Sequence, residues 1–347
     1  PGNLMADCFD PTWFEQLSPP MKTRFMTIIS TGIKNPDSAM GAYAMDVADY
    51  SDFAPFFDRL IRAFHKIPQN RPIRQIHDWN TTAKNCDLVQ IDPALNNISM
   101  RVRVARNVNG FPLPGAMDKS DRLRFEEMAR KAFAALRADP AFGGHYISLT
   151  PGAPDEISKE EYQRRVAAHQ MFKDMSRDRF LNAAGISHDW PHGRGMYVSA
   201  REDFLVWVGE EDQLRIMAMH AGSNLNVLFD RLHAGVERLA GLFPPFAMSP
   251  KYGAIASCPT NLGAGMRASV HVRLPRLCAK DPDLKKIGAL AKRLGLAVRG
   301  AGGEHSGAGP GGLVDISPSA RLGVTEMEIM QRLHDGIAEL WKRENSA

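Results

Sequence analysis

The chain changes its pattern of apolar positions part-way along. Up to about Lys66 the apolar residues recur at helical spacing. Phe25, Ile28 and Ile29 share one side of a segment over 21–33 that follows Pro19-Pro20. Phe53, Phe56, Phe57, Leu60, Ile61 and Phe64 share one side of a second segment over 50–64. Between them NPDSAMGAYAMD, 35–46, has the Pro, Asp, Ser and Gly of a loop. The polar, Pro-bearing run 65–80 has linker composition. It divides the chain into a first domain, 1–75, and a second, 76–347.

Beyond the linker, strand patterns enter. ISMRVRV, 98–104, alternates strictly, as does ASVHVRL, 268–274. FLVWV, 204–208, is apolar throughout and reads as a buried strand. Helical spacing returns over 120–136. It returns again after Ser158-Lys-Glu-Glu161, in a helix reaching Met171, and in the last segment after Thr325-Glu-Met-Glu328. Both tetrads spell a capping box. Residues 215–243 read as one long helical stretch, with Gly222 as its only break point. Residues 300–312, GAGGEHSGAGPGG, predict a mobile loop.

Composition narrows the class. A length of 347 residues permits two domains. Charged residues make up 24% of the chain and the net charge is only +4, which fits an ordinary globular surface. Lys and Arg are dispersed and not interleaved with aromatics, against a nucleic-acid binder. No apolar run approaches the ~20 residues that span a bilayer. The first residues, PGNLMADCFDP, lack the basic and apolar regions of a secretory signal. The four cysteines show neither CxxC nor zinc spacing. A reducing compartment is expected, cytoplasm or mitochondrion.

Four groups of residues carry candidate chemistry. Arg101 and Arg103 lie two apart on a strand, so both leave the same face. Glu210-Glu211-Asp212 and Arg215 follow the FLVWV strand. A carboxylate there matches a guanidinium through two parallel hydrogen bonds and can take the proton it loses. CPTNLGAGMRASVHV places Cys258 before a turn and sets Arg267 and His271 on a strand. Arg299 and Glu304 flank a glycine-rich segment able to close over a substrate and exclude water. Several guanidinium groups around one centre suit phosphoryl transfer, which depends on positioning and charge neutralisation.

Taken together, these segments resemble the phosphagen (guanidino) kinase family, nearest to its arginine kinases. The likeness runs over nearly the whole chain and includes DSAMGAYAMD, ISMRVRVARNVNGFPLP, HGRGMYVSAREDFLVWVGEEDQLRIM, CPTNLGAGMRASVHVRLPRL, RGAGGEHS and VDISPSARLGVTE. It implies an α+β fold: a small all-helical N-terminal domain, then a larger domain with an antiparallel β-sheet flanked by helices. It implies reversible transfer of the γ-phosphoryl group of MgATP to a small guanidino substrate, as an energy buffer. L-Arginine is expected first, with taurocyamine, hypotaurocyamine, lombricine or glycocyamine as alternatives. Protein-arginine kinase activity and a silent nucleotide-binding protein are the rival functions.

The resemblance also implies roles. Arg101, Arg103, Arg215, Arg267 and Arg299 would neutralise the nucleotide phosphates, with His271 and Asp315 beside the nucleotide. Glu211 and Glu304 would clamp the guanidinium, and Cys258 would be its reactive thiol contact. Ser38, Met40, Gly41 and Tyr43 would receive the other end of the substrate. Mg²⁺ would be held by phosphates and water, with Glu210 and Asp212 as outer-sphere partners. The family has monomers and homodimers. Gly302 stands where an arginine is usual, Met40 and Phe64 replace Val and Tyr, and an adenine-side histidine is absent or shifted near His169.

Overall fold

Pro19 and Pro20 occupy the first turn of a helix, where the missing N–H needs no partner. The computed structural model, which describes residues 2–82, 84–300 and 307–346, ends that helix at Ile28 and starts another at Ser30. The single helix read over 21–33 is thus two, Pro19–Ile28 and Ser30–Lys34. The second segment is also split. Asp49–Asp52 is one turn, and Pro55 in a first turn opens Ala54–His65. With Leu4–Cys8 and Pro11–Glu15 these helices form a small unit with an aromatic core. Phe25 is fully buried and has ring contacts with Trp13, Phe14, Phe53 and Phe56.

The strands in chain order are β1 (Ile98–Arg106), β2 (Gly144–Ser148), β3 (Gly195–Ser199), β4 (Phe204–Val208), β5 (Leu214–Gly222), β6 (Met248–Ser249), β7 (Gly253–Ala254), β8 (Met266–Arg273), β9 (Leu296–Gly300) and β10 (Leu313–Pro318). β6 and β7 pair with each other. The other eight form one antiparallel sheet in the order β2-β3-β4-β5-β1-β8-β10-β9. Val102, Val104, Ile216, Val270, Val314 and Ile316 leave one face of it. They join an apolar cluster with residues of helices Lys119–Leu136, Leu225–Ala240 and Glu326–Ser346. The α+β class, with a helical N-terminal unit ahead of an antiparallel sheet and helices, is the architecture observed.

The long helix read from 215 is a strand followed by a helix. Leu214 to Ala218 are buried on both faces of β5, so Arg215 is the lone polar position there and no alternation shows. Pairing decides instead: Ala218 lies opposite Val102 of β1 and Phe204 of β4. The helix begins only after Asn224, whose side chain accepts from the amides of Asn226 and Val227. The two capping boxes differ. At Thr325 the exchange is reciprocal, with Thr325 N donating to Glu328 Oε2 at 2.7 Å and Glu328 N to Thr325 Oγ1 at 3.1 Å. At Ser158 only the hydroxyl caps, because Glu161 turns to Arg164 and Arg165. That helix ends at Ala167, short of Met171.

The helical unit is tied to the rest by polar contacts at one edge. Tyr50 Oη donates to Ala256 O at 2.7 Å and Tyr252 Oη to Asp58 Oδ1 at 2.7 Å. Ala44 N donates to Ser257 O at 2.8 Å. Arg179 pairs with Asp37. These ties bring the loop at 38–43 beside the turn at Cys258.

Phe25→Ala would empty the centre of the aromatic core. Urea unfolding should show a loss of about 3–5 kcal/mol. A loss below about 1 kcal/mol would mean that the helical unit does not depend on this cluster.

Candidate active site

Strand register gathers the basic residues. Arg101 lies opposite Met219 and Ser269, and Arg103 opposite Met217 and Arg267. His271 is opposite Asp315, and Asp315 in turn is opposite Arg299. Arg215 is opposite Ala105. Directly opposed residues project to the same side of a sheet. Arg101, Arg103, Arg215, Arg267, His271, Arg299 and Asp315 therefore share one face. All but Arg215 line a single cavity of about 740 Å³. Arg215 lines a narrow cleft beside it with Arg103, Arg267, Asn261 and Arg321.

Acids of the described residues answer part of this charge. Arg267 Nη2 pairs with Asp315 at 2.9 Å and Arg215 Nη1 with Glu210 at 2.6 Å. Arg101 reaches Met217 Sδ at 2.8 Å and lies over the Trp207 ring, and its Nε is buried without a hydrogen-bond partner. Burial, then the neighbouring Arg215 and Arg267, lowers Arg101 to about 10. Burial followed by Arg215, Arg101 and Arg267 also lowers Arg103 well below the usual guanidinium range. Such a cavity is built to take a polyanion.

The acidic residues sit on the connection from β4 to β5. Gly209, at φ +73°, starts a tight turn closed by its own N–H to Gln213 O at 3.0 Å. Glu211 Oε2 accepts from Asn261 Nδ2 at 3.1 Å and pairs with Arg215 Nη2 at 3.4 Å. Burial, with the charge of Glu210 next, pushes the Glu211 carboxyl up to about 7. A carboxylate so placed has the basicity of a proton acceptor at neutral pH.

Cys258 is 4% exposed, and Thr260 Oγ1 donates to its sulfur at 3.1 Å. Burial and the Glu211 charge push the thiol up to about 12. In this geometry burial and the neighbouring carboxylate favour the neutral thiol of Cys258. A guanidinium docked beside it would oppose both terms and favour the thiolate. Asp212 is 1% exposed, and its Oδ2 is buried without a hydrogen-bond partner. Its Oδ1 accepts from Asn107 Nδ2 at 2.8 Å and from Ser257 N at 2.7 Å, holding the turn just before Cys258.

The loop at 38–43 is shaped from behind. Ser38 Oγ accepts from Gly41 N at 3.1 Å. Leu4 N donates to Ala39 O and Met5 N to Met40 O, at 3.1 and 3.0 Å. Asn3 Nδ2 donates to the carbonyls of Gly32 and Pro36. Gly41 has φ +78°, and a Cβ there would stand 2.8 Å from Met5 Cβ, so glycine is required. Tyr43 is close enough to Cys258 and Glu211 that their charges, after burial, raise its hydroxyl. Tyr43 thus stands by Glu211 and Cys258, with Ser38, Met40 and Gly41 on the same loop. Glu304 and Gly302 lie outside the described residues.

Two family models match the chain: the ATP:guanido phosphotransferase C-terminal catalytic domain over residues 124–347, and the N-terminal domain of the same enzymes over residues 2–62. The chain belongs to the ATP:guanido phosphotransferase family. An arginine kinase of Limulus polyphemus is 35% identical, over 99% of this chain and 92% of its own. A probable arginine kinase of Caenorhabditis elegans is 37% identical, over 93% of this chain and 78% of its own. Among solved structures, a lombricine kinase matches with a TM-score of 0.83 and 27% identity, over 99% of this chain and 92% of that one. The duplicated taurocyamine kinase from Schistosoma mansoni matches with a TM-score of 0.85 and 28% identity. The match covers 99% of this chain but spans 46% of that protein.

Two residues of this guanido phosphotransferase, Asn261 and Arg321, escaped the sequence reading. His169, where the sequence left an adenine-side histidine absent or shifted, lines the large cavity with His271, at φ 57°. Left-handed backbone is several-fold enriched in His, Asn and Asp, and a histidine just past a helix end was the available signal. Asn261 and Arg321 carried no local signal, because their contacts join segments 60 residues apart. Among the described residues no helix is long and apolar enough to cross a membrane. The cysteines are all free.

Asp212→Ala would strand two buried donors. The cost should be about 2–4 kcal/mol in urea unfolding. Asp212→Asn, which keeps an acceptor, should cost less. Equal stability of Asp212→Ala and the parent would remove Asp212 from the support of the turn.

Proposed function

We propose that this phosphotransferase moves the γ-phosphoryl group of ATP reversibly to a guanidino nitrogen of a small substrate, L-arginine first. The observation that carries the reading is one continuous surface. An arginine-lined cavity shares Arg103 and Arg267 with a narrow cleft that also takes in Arg215 and Asn261, the two residues that contact Glu211. The arginine kinase relatives, at 35–37% identity, support arginine as substrate over taurocyamine, hypotaurocyamine or lombricine.

In this reading Arg101, Arg103, Arg267 and Arg299 hold the phosphates, with His271, His169 and Asp315 toward the nucleoside. Arg103 and Arg267 stand directly opposite each other, a pairing of like charges that a phosphate chain between them relieves. Among the described residues no group of three or more His, Cys, Asp or Glu could hold a metal ion. The donor set fits a Mg²⁺ that arrives on the phosphates, with Glu210 beside its water. When bound, that ion neutralises phosphate charge. The loop at 38–43 would seat the far end of the substrate and fix the distance of the guanidinium from the phosphate. Glu211 orients the guanidinium and accepts its proton as the new N–P bond forms and the bond to the β-phosphate oxygen breaks. The bonding electrons leave on ADP. Arg215, held by Glu210 and Glu211, faces the transferred group.

A coupled ADP-release assay with MgATP and arginine, taurocyamine, hypotaurocyamine, lombricine, glycocyamine and creatine tests the reading. Release with arginine alone supports it, release with another guanidine alone moves the substrate, and silence with MgADP still bound defeats it. Glu211→Gln should cut turnover by ~10²-fold or more and leave MgADP affinity nearly intact. The parent rate should fall as pH drops through about 7, because a protonated Glu211 cannot take the proton. A rate flat from pH 8 to 6, or a fully active Glu211→Gln, would take Glu211 out of this role.

A further inference from the structure

Asn261 sits between two groups that can each make only one kind of hydrogen bond. A guanidinium donates and has no acceptor; a carboxylate accepts. Asn261 Oδ1 accepts from Arg321 Nη1 at 2.8 Å, and Asn261 Nδ2 donates to Glu211 Oε2 at 3.1 Å. The same Nη1 donates to Thr260 O at 2.9 Å. A half-turn of the amide would set its NH₂ against the guanidinium and its oxygen against the carboxylate, both repulsive.

Arg321 is delivered from fixed backbone. Its carbonyl accepts from Ala264 N at 2.8 Å, tying the segment after β10 to the turn that follows Asn261. The side chain is half-buried, and no carboxylate pairs with it within salt-bridge distance among the described residues. Its polar contacts are spent on the turn that carries Cys258 and Asn261.

Glu211 itself shows the consequence. Oε2 receives Asn261 and Arg215, whereas Oε1 has no hydrogen bond among the described residues. The other charged and titratable groups around this carboxylate are Glu210 and Asp212 on its own turn, Cys258 on the facing turn and Tyr43 on the loop from the helical unit.

We propose that Arg321 is a positioning residue for the transfer. By holding Asn261 Oδ1 and Thr260 O, it locks the amide so that Nδ2 always meets Glu211 Oε2, and this turns Oε1 toward the guanidinium. This rests on the reading that Glu211 receives the guanidine. The rival role for Arg321, suggested by its place on the cleft with Arg103, Arg215 and Arg267, is a further phosphate contact.

A double-mutant cycle on the full chain separates the two. The variants are Arg321→Met, Asn261→Ala and the pair, with Arg321→Lys to restore a donor. Each is followed by kcat, by KM for the guanidine that the parent uses, and by MgADP affinity from calorimetry. If Arg321 acts through Asn261, Arg321→Met lowers kcat by about tenfold or more and the pair is no slower than the slower single variant. MgADP affinity then stays within about twofold, and Arg321→Lys keeps most of the rate. Multiplying losses in the pair, a fall in MgADP affinity that matches the rate loss, or an Arg321→Met at parental rate would each overturn the proposal. If Arg321→Met does not fold, the comparison is Arg321→Lys with Asn261→Ala. Rate kept in the first and lost in the second supports the lock, and equal losses overturn it. A parent inactive on every guanidine would defeat the proposed function. A parent that turns over with an additive cycle would defeat this proposal alone.

Discussion

Like charges set opposite each other on neighbouring strands repel, and strands in a sheet stand only about 4.8 Å apart. Here Arg103 faces Arg267 across that spacing, with Arg101 two residues along the same face. The sheet holds them because its other face is largely apolar: Val102, Val104 and Val270 are packed beneath helices. Hydrophobic burial on one side thus supports electrostatic strain on the other. Asp315, Glu210, the Trp207 ring and the Met217 sulfur relieve part of it. The result is positive charge gathered on one wall of a cavity.

The opposite demand sits one turn away. Glu210, Glu211 and Asp212 are three acids on one short connection, and burial raises Glu211 and Asp212. Asp212 Oδ1 is engaged by Asn107 and Ser257 and supports the turn of Cys258, while its Oδ2 is buried without a hydrogen-bond partner. Glu210 is matched by Arg215. Glu211, in contact with both Arg215 and Asn261, stands where a cation from outside would fit. A cavity wanting an anion and a carboxylate wanting a cation, joined by a narrow cleft, match the two partners of a phosphoryl transfer to a guanidine.

The helical unit contributes geometry rather than charge. Asn3 and the amides of Leu4 and Met5 hold the 36–41 backbone from behind. Ala44 and Tyr50 dock on the carbonyls of Ser257 and Ala256. His65, at the end of Ala54–His65, touches Pro259 O at 2.9 Å. The turn carrying Cys258 is therefore gripped from both units. Movement of one against the other would change the distance between the loop and the phosphate cleft.

Local rules reached a definite distance into this protein. The alternation of ISMRVRV and ASVHVRL and the reciprocal box at Thr325 each depend on neighbours in the chain, and each was legible. So was the pairing of Arg101 with Arg103 on one face, since strand side chains repeat every second residue. Residues 215–222 were misread because a strand buried on both faces shows no alternation, and only β1 and β4 make it a strand. The neutral burial of Cys258, the structural use of Asp212 and the Arg321–Asn261–Glu211 chain were invisible for the same reason. Each is set by which distant segments touch. The sequence alone determined which chemistries were present and the helices and strands that carry them. Tertiary structure decided which groups meet, because register and burial are properties of pairs of segments and not of either segment alone.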